Sequence, residues 1–194
     1  MCFSMGPLPA EFYERDPEIV SKGLLGKGLV RRLGAEVLEG MIVETEAYYG
    51  QEDPASRAYH GPKTFNRNMW GPPGTLFIYN VHKYWMLNIV AHEPNKVGAV
   101  LIRSVEPTNG LQMMKRNRRI SELSDLTTGP GKLTQALRID KRLNGTPVTS
   151  KDSEVCILDS LPISEVESSH RIGVKKDLKR NLRFFIKGNR FVSK

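Results

Sequence analysis

Apolar and polar residues alternate in short runs along most of the chain, and this pattern predicts more strands than helices. Strands are predicted over residues 28–33, 36–48, 75–79, 84–90, 97–105, 154–158, 171–174 and 182–186. Helices are predicted from Asp16-Pro17-Glu18 to about Gly26, and over residues 111–119 and 132–139. The order lacks the regular strand–helix alternation of a doubly wound sheet. With no internal repeat and no linker, the pattern predicts one α+β domain over residues 1–194.

The stretch between two of these strands, residues 49–73, is rich in turn-forming residues and carries few paired apolar positions. A loop of this length inside a domain is usually either functional or disordered. Two β-rich runs follow it, separated by Asn80-Val81-His82-Lys83. Two short β-rich runs joined by four residues predict a protruding β-hairpin.

The strand predicted over residues 36–48 ends in an unusual set of side chains. Side chains of an extended chain alternate between its two faces, so Glu44, Glu46 and Tyr48 share one face, and Thr45 and Ala47 share the other. Burying a carboxylate costs free energy unless it is paired or hydrogen-bonded, so two on one face indicate a functional site. A carboxylate base beside an aromatic surface suits hydrolysis next to a flat ligand, such as a nucleobase.

The charge of the chain supports a polyanionic partner. It has 29 Lys and Arg residues against 21 Asp and Glu residues, a formal net charge of +8. Such a balance favours nucleic acid first and an acidic membrane surface second. Basic residues cluster at 115–119 and 175–181, where they are either phosphate contacts or a solvated surface.

Cysteine and histidine usage argues against a disulfide framework and a zinc site. The chain has Cys2 and Cys156, and its histidines form no closely spaced pair. No apolar run approaches the roughly 20 residues that a membrane span needs. We therefore expect an intracellular protein without metal or cofactor, cytoplasmic and nucleoid-associated in a prokaryote or nuclear in a eukaryote.

Several segments together resemble the alkyladenine (3-methyladenine, or methylpurine) DNA glycosylase family. They occur in family order at residues 42–48 (IVETEAY), 52–56 (EDPAS), 73–79 (PGTLFIY), 87–89 (LNI), 100–107 (VLIRSVEP) and 129–137 (GPGKLTQAL). The resemblance implies a monomeric, monofunctional enzyme that needs no cofactor. Such an enzyme flips a damaged purine (alkylated, ethenoadenine or hypoxanthine) out of double-stranded DNA and hydrolyses its N-glycosidic bond.

The same resemblance implies a fold. It predicts a curved, mainly antiparallel sheet with a protruding hairpin and surrounding helices, similar to the C-terminal domain of methionyl-tRNA formyltransferase.

The resemblance also assigns roles to individual residues. Glu46 matches the general base that activates the attacking water, and Arg103 matches a residue that helps to hold that water and the glutamate. Tyr48 and Tyr79 match the aromatic walls that stack on the extruded base. Asn88 matches the residue whose bulk disfavours the 2-amino group of guanine.

This chain departs from the family pattern at the edge of the base. The family places a histidine where this chain has Arg57, and here a histidine follows three positions later, at His60. Arginine only donates hydrogen bonds, whereas neutral histidine can donate or accept. Position favours Arg57 as the contact, and His60 is the alternative.

A second departure lies at the hairpin tip, where the family inserts an aromatic residue into the minor groove. This chain is one residue shorter there, so His82 or Val81 is the candidate to fill the gap in the DNA. Lys83 and Lys132 are expected to contact the DNA backbone.

Two other functions compete with this interpretation. Glu44, Glu46 and Asp53 could hold Mg²⁺ in a nuclease or phosphodiesterase. Alternatively, the chain could bind nucleic acid without catalysis, although such a module needs no paired acids beside its basic surface.

Overall fold

One antiparallel sheet of eight strands frames the protein in a computed structural model that describes residues 6–193. The strand order is β3-β4-β5-β2-β1-β6, and β8 joins the sheet by pairing with both β2 and β7. The strands are β1 (Gly28–Leu33), β2 (Glu36–Tyr48), β3 (Leu76–Val81), β4 (Tyr84–Val90), β5 (Ala99–Asn109), β6 (Val155–Leu158), β7 (Val166–Ser169) and β8 (Arg183–Ile186).

The long strand β2 is the centre of this sheet. It pairs with β5 along one side, and with β1 and then β8 along the other. Its register with β5 shifts on both sides of Glu44. Such irregularities bend a strand and re-aim its side chains, and they are common next to active sites.

The described residues also form four α-helices and two short 3₁₀ helices, Arg67–Trp70 and Lys141–Leu143. Asp16 begins the second helix as predicted, because its carboxylate accepts a hydrogen bond from the Glu18 amide at 2.8 Å. The helices are α1 (Ala10–Tyr13), α2 (Pro17–Leu24), α3 (Leu111–Arg118) and α4 (Pro130–Ala136).

The two faces of the sheet are covered differently. Leu87 and Ile89 of β4 pack into the main core with residues of α2, α3 and α4. Val90, on the opposite face, packs in a smaller cluster with Ala58 and Met69 of the loop over residues 49–75. This loop therefore lies over the face of the sheet that the helices leave open.

Two buried polar side chains order the loop. Asp53 accepts hydrogen bonds from the amides of Tyr49 and Ala55, each at 3.0 Å. Asn66 donates to the carbonyl oxygen of Arg57 at 2.7 Å. These bonds satisfy backbone groups that have no strand or helix partner, so the loop has a defined path over the sheet.

The predictions for β1, β2, β4 and the hairpin are confirmed. Only β3 reaches closer to the tip than predicted, to Val81, so that His82 and Lys83 form the turn. The strand predicted over residues 171–174 is wrong, and the nearby strand is β7. The backbone leaves the sheet because the Arg171 side chain turns inward to Asp53. Cys2 lies outside the described residues, within which no helix is long and apolar enough to cross a membrane.

Candidate active site

Two glutamates and an arginine meet in the interior beside β2. Glu44 and Glu46 are both fully buried. Arg103, from the neighbouring strand β5, donates from Nε to Glu44 Oε1 at 2.7 Å, and its Nη1 lies 3.1 Å from Glu46 Oε1. The predicted common face of the two glutamates is therefore confirmed.

Glu44 is held on both carboxylate oxygens. Besides Arg103, its Oε1 accepts from Arg183 Nε at 2.7 Å and from Ser193 Oγ at 2.8 Å. Its Oε2 accepts from the Ser193 amide at 2.7 Å. A carboxylate engaged by this many donors is suited to hold Arg103 in place rather than to react with a substrate.

Glu46 has a different environment. Its Oε2 accepts from the Tyr48 hydroxyl at 2.8 Å, and its Oε1 accepts from the Ile172 amide at 2.8 Å. Burial alone would lower the pKa of Arg103, but Glu46 and Glu44 outweigh burial and raise this pKa above its usual value. Arg103 therefore stays cationic beside both carboxylates.

A small cavity adjoins these groups on the loop side of the sheet. We call it the base pocket; its lining comes from β2, β3, β4, the start of β5 and the loop, as Tyr48, Arg57, Met69, Phe77, Tyr79, Asn88 and Ala99. Glu46 is not part of the lining, but its carboxylate is joined to the pocket by the hydrogen bond from Tyr48. The free volume is about 10 Å³, which is room for about one water molecule.

Arg57 covers one aromatic wall of the pocket. Its guanidinium lies over the Tyr79 ring, with Cζ 4.6 Å from the ring centre. A cation in this position is attracted by the face of the ring. The same face is the surface that the resemblance assigns to the extruded base.

The Tyr48 ring packs against the guanidinium of Arg171. The Arg171 guanidinium lies 4.5 Å from the centre of the Tyr48 ring and contacts both oxygens of Asp53, at 2.6 and 2.7 Å. Burial raises the pKa of Tyr48 well above its ordinary value, and Glu46 raises it further. Tyr48 is therefore a neutral hydrogen-bond donor to Glu46.

Asn88 is fixed in the pocket wall. Its side-chain amide donates to the carbonyl oxygens of Phe77 and Met86, at 3.0 and 3.3 Å. These bonds set which atoms Asn88 presents to the pocket, as a residue that sorts ligands by shape requires.

The other predicted residues lie outside the base pocket. His60 is exposed and contacts the edge of Tyr59, with ring centres 4.8 Å apart. His82 is exposed at the hairpin tip with a φ of 52°, and Val81 is half-buried in β3 opposite Tyr84. The structure thus brings Arg57 rather than His60 to the pocket.

The predicted backbone contacts also lie at the surface. Lys83 stands at the hairpin tip, 5.5 Å from the centre of the Tyr84 ring. Lys132 of α4 forms an ion pair with Asp125, so it would have to exchange this partner to reach a phosphate.

The carboxylates proposed for a Mg²⁺ site are already neutralised. Glu44 and Glu46 face Arg103, and Asp53 is paired with Arg171. Among residues 6–193, no group of three or more His, Cys, Asp or Glu side chains is arranged to hold a metal ion. The nuclease alternative therefore lacks its ligand set in this part of the chain.

Sequence reasoning missed the residues that come from the end of the chain. Arg171 and Ile172 were assigned to a strand, and Arg183 and Ser193 were given no role. The available signal was weak: a buried carboxylate pair needs compensating cations, but nothing in the spacing says which arginines supply them.

Comparison with known proteins confirms the predicted family. The sequence model of the Methylpurine-DNA glycosylase (MPG) family matches residues 11–190. A protein of Aeropyrum pernix is 40% identical over 96% of this chain and 93% of its own length. One of Clostridium perfringens is 41% identical over 96% of this chain and 98% of its own. Both relatives are provisionally named 3-methyladenine DNA glycosylases. The chain belongs to the methylpurine-DNA glycosylase family.

Proposed function

We propose that the protein is a base-excision-repair DNA glycosylase that removes damaged purines from double-stranded DNA. The observation that carries the proposal is the fully buried Glu46, whose carboxylate accepts a hydrogen bond from Tyr48, a residue of the base pocket wall. An enzyme that reaches the glycosidic bond of a paired base must first turn its nucleotide out of the duplex. A pocket beside a carboxylate is where such a base would be received.

The chemistry follows from these groups. A water molecule attacks C1′ of the damaged nucleotide, Glu46 accepts the proton of this water, and the C1′–N bond breaks with its electron pair going to the purine. The anionic form of Glu46 also stabilises the positive charge that develops on the sugar. Arg103 keeps the carboxylate oriented. The products are an abasic site and a free purine: a cationic alkylated base leaves as a neutral purine and Glu46 gives its proton to solvent, whereas a neutral base such as hypoxanthine takes up a proton at the nitrogen that leaves C1′.

The pocket walls support selection of damaged bases. Tyr48 and Tyr79 provide aromatic faces, which attract a cationic alkylated purine by about 0.5–2 kcal/mol. Such a base is also an activated leaving group. Asn88, fixed by its two hydrogen bonds, is placed to exclude the 2-amino group of guanine. At the hairpin tip, His82 and Val81 are the groups that would fill the gap left in the DNA.

The test is direct. The protein, which we expect to be a monomer, is incubated in EDTA with duplexes that each contain one alkylated purine, ethenoadenine or hypoxanthine, and abasic sites are counted by alkaline cleavage. We expect abasic sites with at least one of these duplexes. Cleavage only after addition of Mg²⁺ would instead favour a nuclease, and binding without base release would favour a non-catalytic module.

DNA affinity is expected to fall steeply with salt, because a protein of net charge +8 displaces counterions from several phosphates. Each phosphate contact contributes roughly −0.9 to the slope of log K against log salt concentration, so about three to four contacts give a slope near −3. Fluorescence anisotropy of a labelled duplex between low and moderate salt measures this slope. A slope near zero would contradict a DNA substrate.

Arg57 is expected to influence which lesion is removed. Because arginine only donates, it favours a base edge that presents acceptors, as hypoxanthine does with O6 and N7, and it repels a cationic 3-methyladenine. Arg57→Ala should slow hypoxanthine release by about tenfold, the effect of losing one charged hydrogen bond, and should spare or speed 3-methyladenine release. His60→Ala is the matched control. Equal effects of both variants on both lesions would contradict this role.

A further inference from the structure

A second, larger cleft opens beside the base pocket at the edge of the sheet that β3 forms. We call it the outer cleft; it has a volume of about 350 Å³. Phe65, Tyr79 and Trp85 contribute aromatic surface to it, and Arg57 and Lys141 contribute positive charge. Phe65, Trp85 and Lys141 take no part in the proposed reaction.

The two cavities share a wall. Arg57 and Tyr79 line both of them, and the Arg57 guanidinium lies on the Tyr79 ring. With Arg57 in this position the base pocket has a free volume of about 10 Å³, which is far too small for a purine. A base can enter only after Arg57 leaves the ring.

Arg57 is suited to move in this way. Its side chain is exposed and belongs to the loop over residues 49–75, not to the sheet. A cation–π contact at an exposed site is weak. A planar base can therefore displace the guanidinium, but some surface must hold the base until this happens.

The lining of the outer cleft matches such a base. Phe65 is 54% exposed, although a large apolar side chain gains by leaving water. Bases of every sequence stack on aromatic side chains, because each base presents a π-face. Lys141, which also lines the cleft, is a cation of the kind that contacts a DNA phosphate.

We propose that the outer cleft binds the everted purine nucleotide before it reaches the base pocket, and that Arg57 is the gate between the two. The purine stacks against Phe65 and Trp85, and Lys141 neutralises the adjoining phosphate. Because stacking does not distinguish damaged from normal purines, the outer cleft accepts both. Discrimination then takes place when the base displaces Arg57 from Tyr79. This inference rests on the proposed function.

Transient fluorescence tests the proposal. The Glu46→Gln protein is mixed in a stopped-flow instrument with a duplex that contains one 1,N⁶-ethenoadenine, whose emission changes as it leaves the base stack and meets aromatic side chains. We expect two phases: binding in the outer cleft, followed by passage into the base pocket. Arg57→Ala should speed the second phase until it merges with the first.

Phe65→Ala should weaken the first step about tenfold, the effect of losing one base–aromatic stack, without slowing the second step. Tyr59→Ala is the matched control, because Tyr59 is an exposed aromatic residue of the same loop that does not line the cleft. In the protein that retains Glu46, Phe65→Ala should likewise raise the half-saturating protein concentration of single-turnover base release. It should leave the maximal rate of release unchanged.

The outcomes separate the two proposals. The proposal of an outer cleft is overturned, even if bases are released, by a single fluorescence phase in the Glu46→Gln protein that retains Arg57. Equal first-step constants for Phe65→Ala and Tyr59→Ala would overturn it as well. Two phases of which the first depends on Phe65 support the outer cleft even if the protein that retains Glu46 releases no base. In that case the proposed hydrolysis is contradicted, and the outer cleft is not.

Discussion

Replacing Glu46 by glutamine is expected to slow base release by at least about 10²-fold, since a positioned general base contributes roughly 10²–10⁴-fold to a rate. The amide keeps the shape of the side chain and can still accept from the Tyr48 hydroxyl. It cannot take the proton of the attacking water. Affinity for a duplex containing an abasic site should remain within a few-fold of the unmodified protein, as measured by anisotropy.

The control for this experiment lies on the same strand. Glu36 is exposed at the start of β2, and Glu36→Gln removes the same charge at the surface. Its rate of base release should be unchanged. Turnover of the Glu46→Gln protein within threefold of the unmodified protein would show that Glu46 is not the base.

Replacing Glu44 by glutamine is expected to lower the free energy of unfolding by about 3–5 kcal/mol, the cost of removing one partner from a buried ion pair. Arg103 and Arg183 both donate to Glu44, so the substitution leaves two guanidinium groups in the interior without their shared anion. Urea denaturation followed by circular dichroism measures the difference. Because Glu44 supports Arg103 rather than the water, its effect on the rate should be milder than that of Glu46.

An exposed ion pair provides the comparison for Glu44. Glu167 and Lys187 are 3.5 Å apart with both side chains about half exposed, and pairs of this kind contribute about 0–1 kcal/mol. If Glu44→Gln and Glu167→Gln shift the urea midpoint equally, then Glu44 is not an essential internal counterion.

The reactive half of the site was predictable because it depends on local geometry. The alternation of side chains along one strand is enough to place Glu44 and Glu46 together, whatever surrounds the strand. The hairpin was predictable for the same reason, since its strands are marked by their composition and by the turn between them. The motifs then named Arg103, Tyr79 and Asn88 through resemblance.

The supporting half was not predictable because it depends on contacts distant in sequence. Arg171 reaches Asp53 across 118 positions, and no periodicity marks such a pair. The same inward turn explains the wrong strand, since the Ile172 amide donates to Glu46 instead of to a neighbouring strand. The position of Arg57 on Tyr79 could not be predicted either, because it is a choice of side-chain conformation in a loop.

The two hydrogen bonds from Ser193 to Glu44 have a consequence for the synthesis of the protein. The two residues lie 149 positions apart, so a ribosome delivers the glutamates, the tyrosines and Arg103 long before it delivers Ser193. Contacts of such long sequence separation also form slowly. An incomplete nascent chain, or one shortened by an exopeptidase to end before Ser193, would carry every reacting group without the last partner that aligns them. The hydrogen bonds that fix Glu44 are thus complete only in chains whose synthesis has passed that serine.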